Sequence, residues 1–240
     1  MRKSYLLLGA LLISPAISVA SDDEIIVYGA RMEQPVTEVG SSVTIITADE
    51  IEAQGFDFVV DALATAPSVT INQNGTFGGS ASVRIRGASS EQTLVIIDGV
   101  VANDPTSPGG GYNFARLDPS NIERIEILRG PQSTLWGTDA IGGVINNITK
   151  QPVEGSSAKA FAQGGSFGSL RAGVDFSGAG ERLDYRFAAT TNSTDGISKA
   201  DEANGNNETD SYDSTTLSGR LGSRVGAGRL QLSALWTDAE

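Results

Sequence analysis

The chain has 240 residues, with 17 Lys and Arg against 29 Asp and Glu, 29 glycines, and neither histidine nor cysteine. Without imidazole or thiol there is no Ser/His/Asp or Cys/His nucleophile, no zinc site built on those ligands and no disulfide framework. A net charge of −12 argues against nucleic acid as a partner, because phosphate-backbone binding depends on clustered Lys and Arg.

The first twenty residues read as a secretory signal. Arg2 and Lys3 precede the apolar run Leu6 to Ile13, a helix-breaking Pro15 and the small-residue site Ser18-Val19-Ala20. The run is about half of the ~20 residues that span a bilayer, so cleavage after Ala20 is expected instead of an anchor. With Arg2 and Lys3 removed and no acid lost, the net charge becomes −14. Residues 21–41 then form an N-terminal segment and linker. Its Asp23-Glu24-Ile25-Ile26-Val27-Tyr28 is a β-branched stretch behind acids. It suits strand addition to a partner's sheet edge, although by itself it reads more simply as an ordinary first strand.

Residues 42–150 mix helix and strand. Val43 to Ile46 reads as a strand, and Thr47-Ala48-Asp49-Glu50 is a capping box that opens a helix ending at Gly55. A second helix runs from Asp57 to Thr65 and stops before Pro67. Strands are predicted at Val69 to Asn72, Ser82 to Arg86 and Thr93 to Ile97, the last closed by Asp98-Gly99, a dipeptide that tolerates a tight turn. Asp118-Pro119 opens a short helix. Strands at Glu123 to Leu128 and Gly142 to Thr149 complete this part.

After Lys150 the period changes to two. Leu170, Ala172, Val174 and Phe176 share one face, with Arg171, Gly173, Asp175 and Ser177 on the other; Leu183, Tyr185, Phe187, Ala189 and then Leu230, Leu232, Ala234, Trp236 repeat the pattern. Turns at Gly178 to Glu181 and Gly226 to Gly228 are short, whereas Asn192 to Asp213 is a long polar loop. Such strands, with short and long connections alternating, mark an outer-membrane β-barrel, and a soluble antiparallel sandwich with one wet face is the alternative. About 90 residues follow Lys150, room for four or five strands of about 10 residues, fewer than the eight of the smallest such barrels. The sequence is therefore expected to be the N-terminal part of a longer protein: an α+β domain over 42–150, then the first antiparallel strands of an incomplete transmembrane β-barrel over 151–240.

Four motifs carry a family resemblance. Val83-Arg84-Ile85-Arg86-Gly87, Leu94-Val95-Ile96-Ile97-Asp98-Gly99-Val100, Ile122 through Leu128-Arg129-Gly130-Pro131, and Leu135-Trp136-Gly137-Thr138-Asp139-Ala140-Ile141-Gly142-Gly143-Val144-Ile145-Asn146 resemble, in order and spacing, the plug domain of TonB-dependent outer-membrane receptors, nearest the cobalamin receptor branch. The resemblance implies that Glu24, Ile25, Ile26, Val27 and Tyr28 are the TonB box, pulled by the inner-membrane energy-coupling protein TonB, and that the plug fills a barrel of about 22 strands. It implies that Arg86 and Arg129 lock the plug to barrel carboxylates that would lie beyond Glu240. Unpaired and buried, such arginines would be costly, by roughly 3 to 5 kcal/mol.

The polar loops Asn74 to Ser80 and Asn103 to Asn113 match the family's outward ligand loops, with Asn74, Thr76, Phe77, Asn103, Asp104, Tyr112 and Asn113 as candidate ligand contacts. Asp201, Glu202, Glu208, Asp210 and Asp213 cluster in the long loop. Oxygen donors of this kind suit calcium, although the spacing is not that of an EF-hand; no other cofactor is implied. The expected function is active uptake of a scarce, bulky nutrient across a bacterial outer membrane, cobalamin or alternatively a ferric siderophore, with lipid around the strands and no enzymatic step. A rival from another class is a soluble periplasmic binding or adhesion module.

Overall fold

The computed structural model describes residues 26–27, 34–35, 39–75, 78–106, 108–198, 205, 209–226 and 228–240; the expected signal peptide lies outside them. Two short strands, β1 (Ile26–Val27) and β2 (Gln34–Pro35), pair antiparallel with Ile26 opposite Pro35. The next part contains β3 (Ser42–Thr47), α1 (Ala48–Gln54), α2 (Val59–Ala64), β4 (Val69–Gln73), β5 (Ala81–Ile85), β6 (Thr93–Ile97), β7 (Val100–Val101), β8 (Ile122–Arg129), α3 (Ser133–Trp136) and β9 (Gly143–Thr149).

Local chemistry sets the first helix. The Thr47 hydroxyl accepts the Glu50 N–H at 3.2 Å, and the Glu50 carboxylate accepts the Thr47 N–H at 2.8 Å, so both ends of the capping box are closed. At the other end Gly55 takes a left-handed φ of 67° and donates back to the last carbonyls. At the β6–β7 turn Asp98 and Gly99 have φ of 47° and 84°. Two successive positive values match the twist of a two-residue hairpin, and aspartate and glycine are the residues that adopt them at least cost.

Five strands form one sheet in the order β3-β8-β9-β6-β7, parallel only between β6 and β9, while β4 and β5 make a separate hairpin. The sheet buries both faces, as side-chain alternation along β8 shows. Ile125 and Ile127 join Val59, Leu63, Val83, Ile85 and Phe114 beneath α1, α2 and the hairpin. Leu128 points the other way, to Leu94, Ile96, Ala140 and Val144. The second helix starts two residues later than predicted, and α3 and β7 were not foreseen: four residues and two residues are too short for periodicity to register.

Beyond residue 150 no helix occurs among the described residues. β10 (Gly155–Gly164), β11 (Leu170–Ala179), β12 (Leu183–Thr194), β13 (Tyr212–Val225) and β14 (Gly228–Ala239) form one antiparallel meander. The predicted loop 192–213 is shorter at both ends, because β12 continues to Thr194 and β13 starts at Tyr212. The apolar positions Leu170, Val174, Phe176, Leu183, Phe187, Leu217, Leu221, Leu230, Leu232 and Trp236 are exposed, and Ser177, Arg186, Thr190, Thr216 and Arg220 on the opposite face are buried. A sandwich in water buries its apolar face; this sheet packs its polar face on the α+β part and turns the apolar face outward, as a barrel wall in lipid does. That orientation removes the soluble-sandwich alternative.

Candidate functional site

Of the expected TonB box, Ile26 and Val27 are the strand β1, while Glu24, Ile25 and Tyr28 lie outside the described residues. Among the loop candidates, Thr76 and Phe77 also lie outside them. Asn74 is exposed at the tip of the β4–β5 hairpin.

Asn103 is fully engaged with backbone: its Oδ1 accepts the Val95 N–H at 2.7 Å, and its Nδ2 donates to the Thr93 and Gly110 carbonyls at 3.2 and 3.0 Å. Asn113 Oδ1 accepts from the Ala115 N–H at 3.1 Å and from the Ala81 N–H at 3.0 Å. These two amides therefore brace the loops, and the second ties the 103–113 loop to the loop end of the hairpin. Asp104 is exposed and accepts from the Thr106 N–H and hydroxyl at 2.8 and 2.7 Å. Tyr112 packs edge-on against Phe114, with ring centroids 4.8 Å apart, and burial raises its phenol to about 12.

One contact here was not foreseen. Tyr212, at the start of β13, places its ring 5.9 Å from that of Phe58 and donates its hydroxyl to the Ala115 carbonyl at 3.4 Å. The same ring lies so close to Gly78 that a Cβ there would stand 2.0 Å from it, and Gly78 has a φ of 67°. Only glycine fits both the space and the backbone angle, so the hairpin loop rests directly on the barrel strand.

Arg86, just past β5, and Arg129, the last residue of β8, lie side by side, with Arg86 Nη1 3.1 Å from the Cβ position of Gly130. Neither forms an ion pair with a described residue. The expected burial cost does not arise at Arg86, which is exposed. Arg129 is half-buried and donates to the Pro67 and Val43 carbonyls at 3.0 and 3.5 Å, leaving its Nε without a partner. Of the proposed calcium ligands, Asp201 and Glu208 lie outside the described residues, and Asp210 and Asp213 are placed by backbone bonds to Ile197 and Glu240. No group of three or more metal-binding side chains forms among the described residues.

The most densely bonded contact between the two parts involves residues that the loop motifs did not single out. Arg171 on β11 reaches Asp118 at 2.9 Å. Arg186 on β12 bonds Asn121 Oδ1, to which Ser218 also donates at 3.2 Å, and pairs with Asp175 through its Nε at 3.0 Å. Arg220 on β13 donates to Asp98 Oδ2 and Thr149 Oγ1, both at 2.6 Å, and to Gln151 Oε1 at 2.5 Å. Asp98 in turn accepts the Thr149 N–H at 2.9 Å. Beside these arginines the pKa of Lys150 is lowered, first by burial and then by the charge of Arg186. All three arginines occupy polar-face positions of their strands; the alternation read from the sequence set Arg171 and Arg186 apart from the apolar face, whereas the strand that carries Arg220 was not among those it picked out.

Residues 35–144 match the family model described as the TonB-dependent receptor plug domain. Over 155 residues the chain is 41% identical to the vitamin B12 transporter BtuB of Vibrio vulnificus, a match covering 62% of this chain and 25% of that protein. Over 227 residues it is 32% identical to the vitamin B12 transporter BtuB of Photobacterium profundum, covering 94% of this chain and 37% of that protein. The chain thus spans between a quarter and about two fifths of the length of these curated relatives. Among solved structures, the siderophore receptor PirA from Pseudomonas aeruginosa is similar with a TM-score of 0.61 at 27% identity, covering 84% of this chain and 34% of that one. The ferripyoverdine receptor of the same species shares the fold with a TM-score of 0.74 at 20% identity, covering 89% of this chain and 27% of the other. With this match falling on the α+β part and the outward apolar strands wrapping it, the chain belongs to the TonB-dependent receptors, carrying their plug domain followed by antiparallel strands of the barrel.

Proposed function

We propose that the protein serves active uptake of cobalamin across a bacterial outer membrane, reached through a leader cleaved after Ala20. The observation that carries the ligand is the 41% identity to a vitamin B12 transporter across 155 residues. In this reading nutrient binds at the outward loops, through the exposed Asn74 and Asp104 together with Thr76 and Phe77. Asn103 and Asn113 hold those loops in shape. No covalent step belongs to such a role.

Energy enters through Glu24 to Tyr28, engaged by the TonB protein of the inner membrane. Ile26 and Val27 are already extended, and their partner strand has Pro35 opposite Ile26. Proline has no N–H to give to the pair, so this internal pairing is weak and the segment can be handed to a partner's sheet edge. Arg86 and Arg129 await carboxylates of the barrel wall, and Asp201, Glu208, Asp210 and Asp213 order the long loop around calcium.

Titration calorimetry of the full-length receptor against cobalamin and a panel of ferric siderophores, with and without calcium, tests the ligand. Tight cobalamin binding is expected, and binding of a siderophore alone would replace it with the second reading, which the likeness to PirA at 27% identity favours. Replacing Ile26 with proline should abolish uptake and leave binding intact; unchanged uptake would refute the energy-coupling role of the segment.

A further inference from the structure

We propose that Arg186 and Arg220, on the barrel wall, are a latch that holds the plug in place, with Asp98 as the plug's half of the catch. This contact is the reverse in polarity of a lock formed by plug arginines and barrel acids. Here the wall supplies the cations and the plug supplies the anion.

The argument begins with strand register. Arg186 and Arg220 are directly opposed across β12 and β13, on the face turned to the plug, and are only 5% and 6% exposed. Like charges directly opposite each other destabilise a sheet, and a buried guanidinium needs a counter-charge. The wall provides one carboxylate, Asp175 on β11, and Arg186 takes it through two nitrogens. Among the described residues, the carboxylate on Arg220 comes from the plug: Asp98, 122 residues away in sequence.

Asp98 is set for this role before the barrel meets it. Its left-handed φ of 47° is fixed by the tight turn to β7. Its two oxygens are held by the Thr149 N–H and hydroxyl at 2.9 and 2.6 Å. The Thr149 hydroxyl also accepts from Arg220, so anion, hydroxyl and guanidinium form one closed network. Beside it lies a cavity of about 280 Å³ lined by Ile97, Val100, Ala102, Ser233 and Leu235 together with both arginines.

The test uses the full-length receptor carrying Asp98→Asn, Arg220→Gln, or both. Asparagine keeps the shape of aspartate and also tolerates a left-handed backbone, so the first change removes charge with little else. In each single variant, hydrogen exchange at residues 98–101 and 149–151 should speed by on the order of a hundredfold, the equivalent of losing one partner of a buried ion pair. Passage of a large hydrophilic antibiotic through the outer membrane should rise with it. The double variant should be no leakier than Arg220→Gln alone. Arg229→Gln, which breaks an exposed pair with Asp184 wholly within the strands, should leave both readouts at the parent level. Resistance of the unheated barrel to SDS should be retained throughout, separating plug release from loss of the barrel. Parent-level exchange and antibiotic exclusion in the single variants, or effects that multiply in the double variant, would overturn the latch. If Arg220→Gln does not reach the membrane, Thr149→Val, which removes the shared hydroxyl, carries the same two outcomes. No arm depends on cobalamin, so the latch and the ligand stand or fall separately.

Discussion

The plug sheet and the barrel sheet obey opposite rules with the same residue types. In the plug, β8 sends Ile125 and Ile127 to one apolar layer and Leu128 to another, and stability comes from removing those side chains from water. In the barrel strands the apolar residues point outward, and the face against the plug is built from arginine, serine and threonine. The surroundings each pattern suits differ: the plug sheet hides its apolar layers within the plug, and the strands turn theirs outward, as a wall in lipid does. The two therefore meet through hydrogen bonds and charge pairs. Such an interface is directional and can be released by breaking a few contacts; two apolar faces pressed together would resist any sliding over their whole area.

The sharpest way to break this comparison is to damage each sheet where its own solvent matters. Leu63 is fully buried between α2 and the plug sheet, and Leu63→Ala should cost about 2 to 5 kcal/mol through lost burial and the cavity left behind. Denaturant unfolding of the full-length receptor should show this loss in detergent and in lipid alike. Val174→Arg, midway along β11 on the outward face, should cost about 2 to 4 kcal/mol in a bilayer. A negligible cost there would mean that the outward face does not meet hydrocarbon.

These two regions were not equally legible in the sequence. The capping box at Thr47, the αL stop at Gly55 and the Asp98-Gly99 turn are local devices, each satisfied within a few residues, and they stand where composition placed them. The strand faces were also readable, since period two separates Leu170, Val174 and Phe176 from Arg171 and Asp175. What period two cannot state is which face is inside, because that depends on the surrounding solvent. The loop asparagines were harder still. Asn103 and Asn113 look like ligand contacts by type, yet Asn113 is committed to the Ala81 N–H, 32 residues away, a partner that no local pattern encodes. Tyr212 against Gly78 is hidden for the same reason: the glycine looks like one of several loop glycines until the ring is placed beside it.

A smaller effect tests the plug's local devices against its packing. Thr47→Ala opens one side of the capping box at the start of α1 and should cost about 1 kcal/mol. Amide exchange should localise the loss to α1, leaving β8 and β9 protected. Loss spread evenly over the plug would mean that the helix has no stability of its own to lose.

The smallest effect concerns Tyr112, which sits at the boundary between the core and the outward loops and distinguishes two roles. As a ligand contact its hydroxyl should be in water, and Tyr112→Phe should weaken nutrient binding while the phenol titrates normally. As a core residue packed edge-on against Phe114, its hydroxyl is desolvated, and the phenol is pushed up to about 12. For an acid whose folded pKa is raised, the neutral form is the one the fold prefers. Its contribution is therefore fully present below the unfolded value near 10 and is lost as pH rises from there toward 12. At neutral pH the phenol is uncharged in both states, so Tyr112→Phe should leave stability and binding nearly unchanged. It should, however, make the receptor more tolerant of alkali, by removing a group that must ionise against its burial. Ultraviolet titration of the phenols in the parent and in Tyr112→Phe checks this directly: a late-titrating phenol should vanish in the variant, and a parent lacking it would return Tyr112 to the ligand surface.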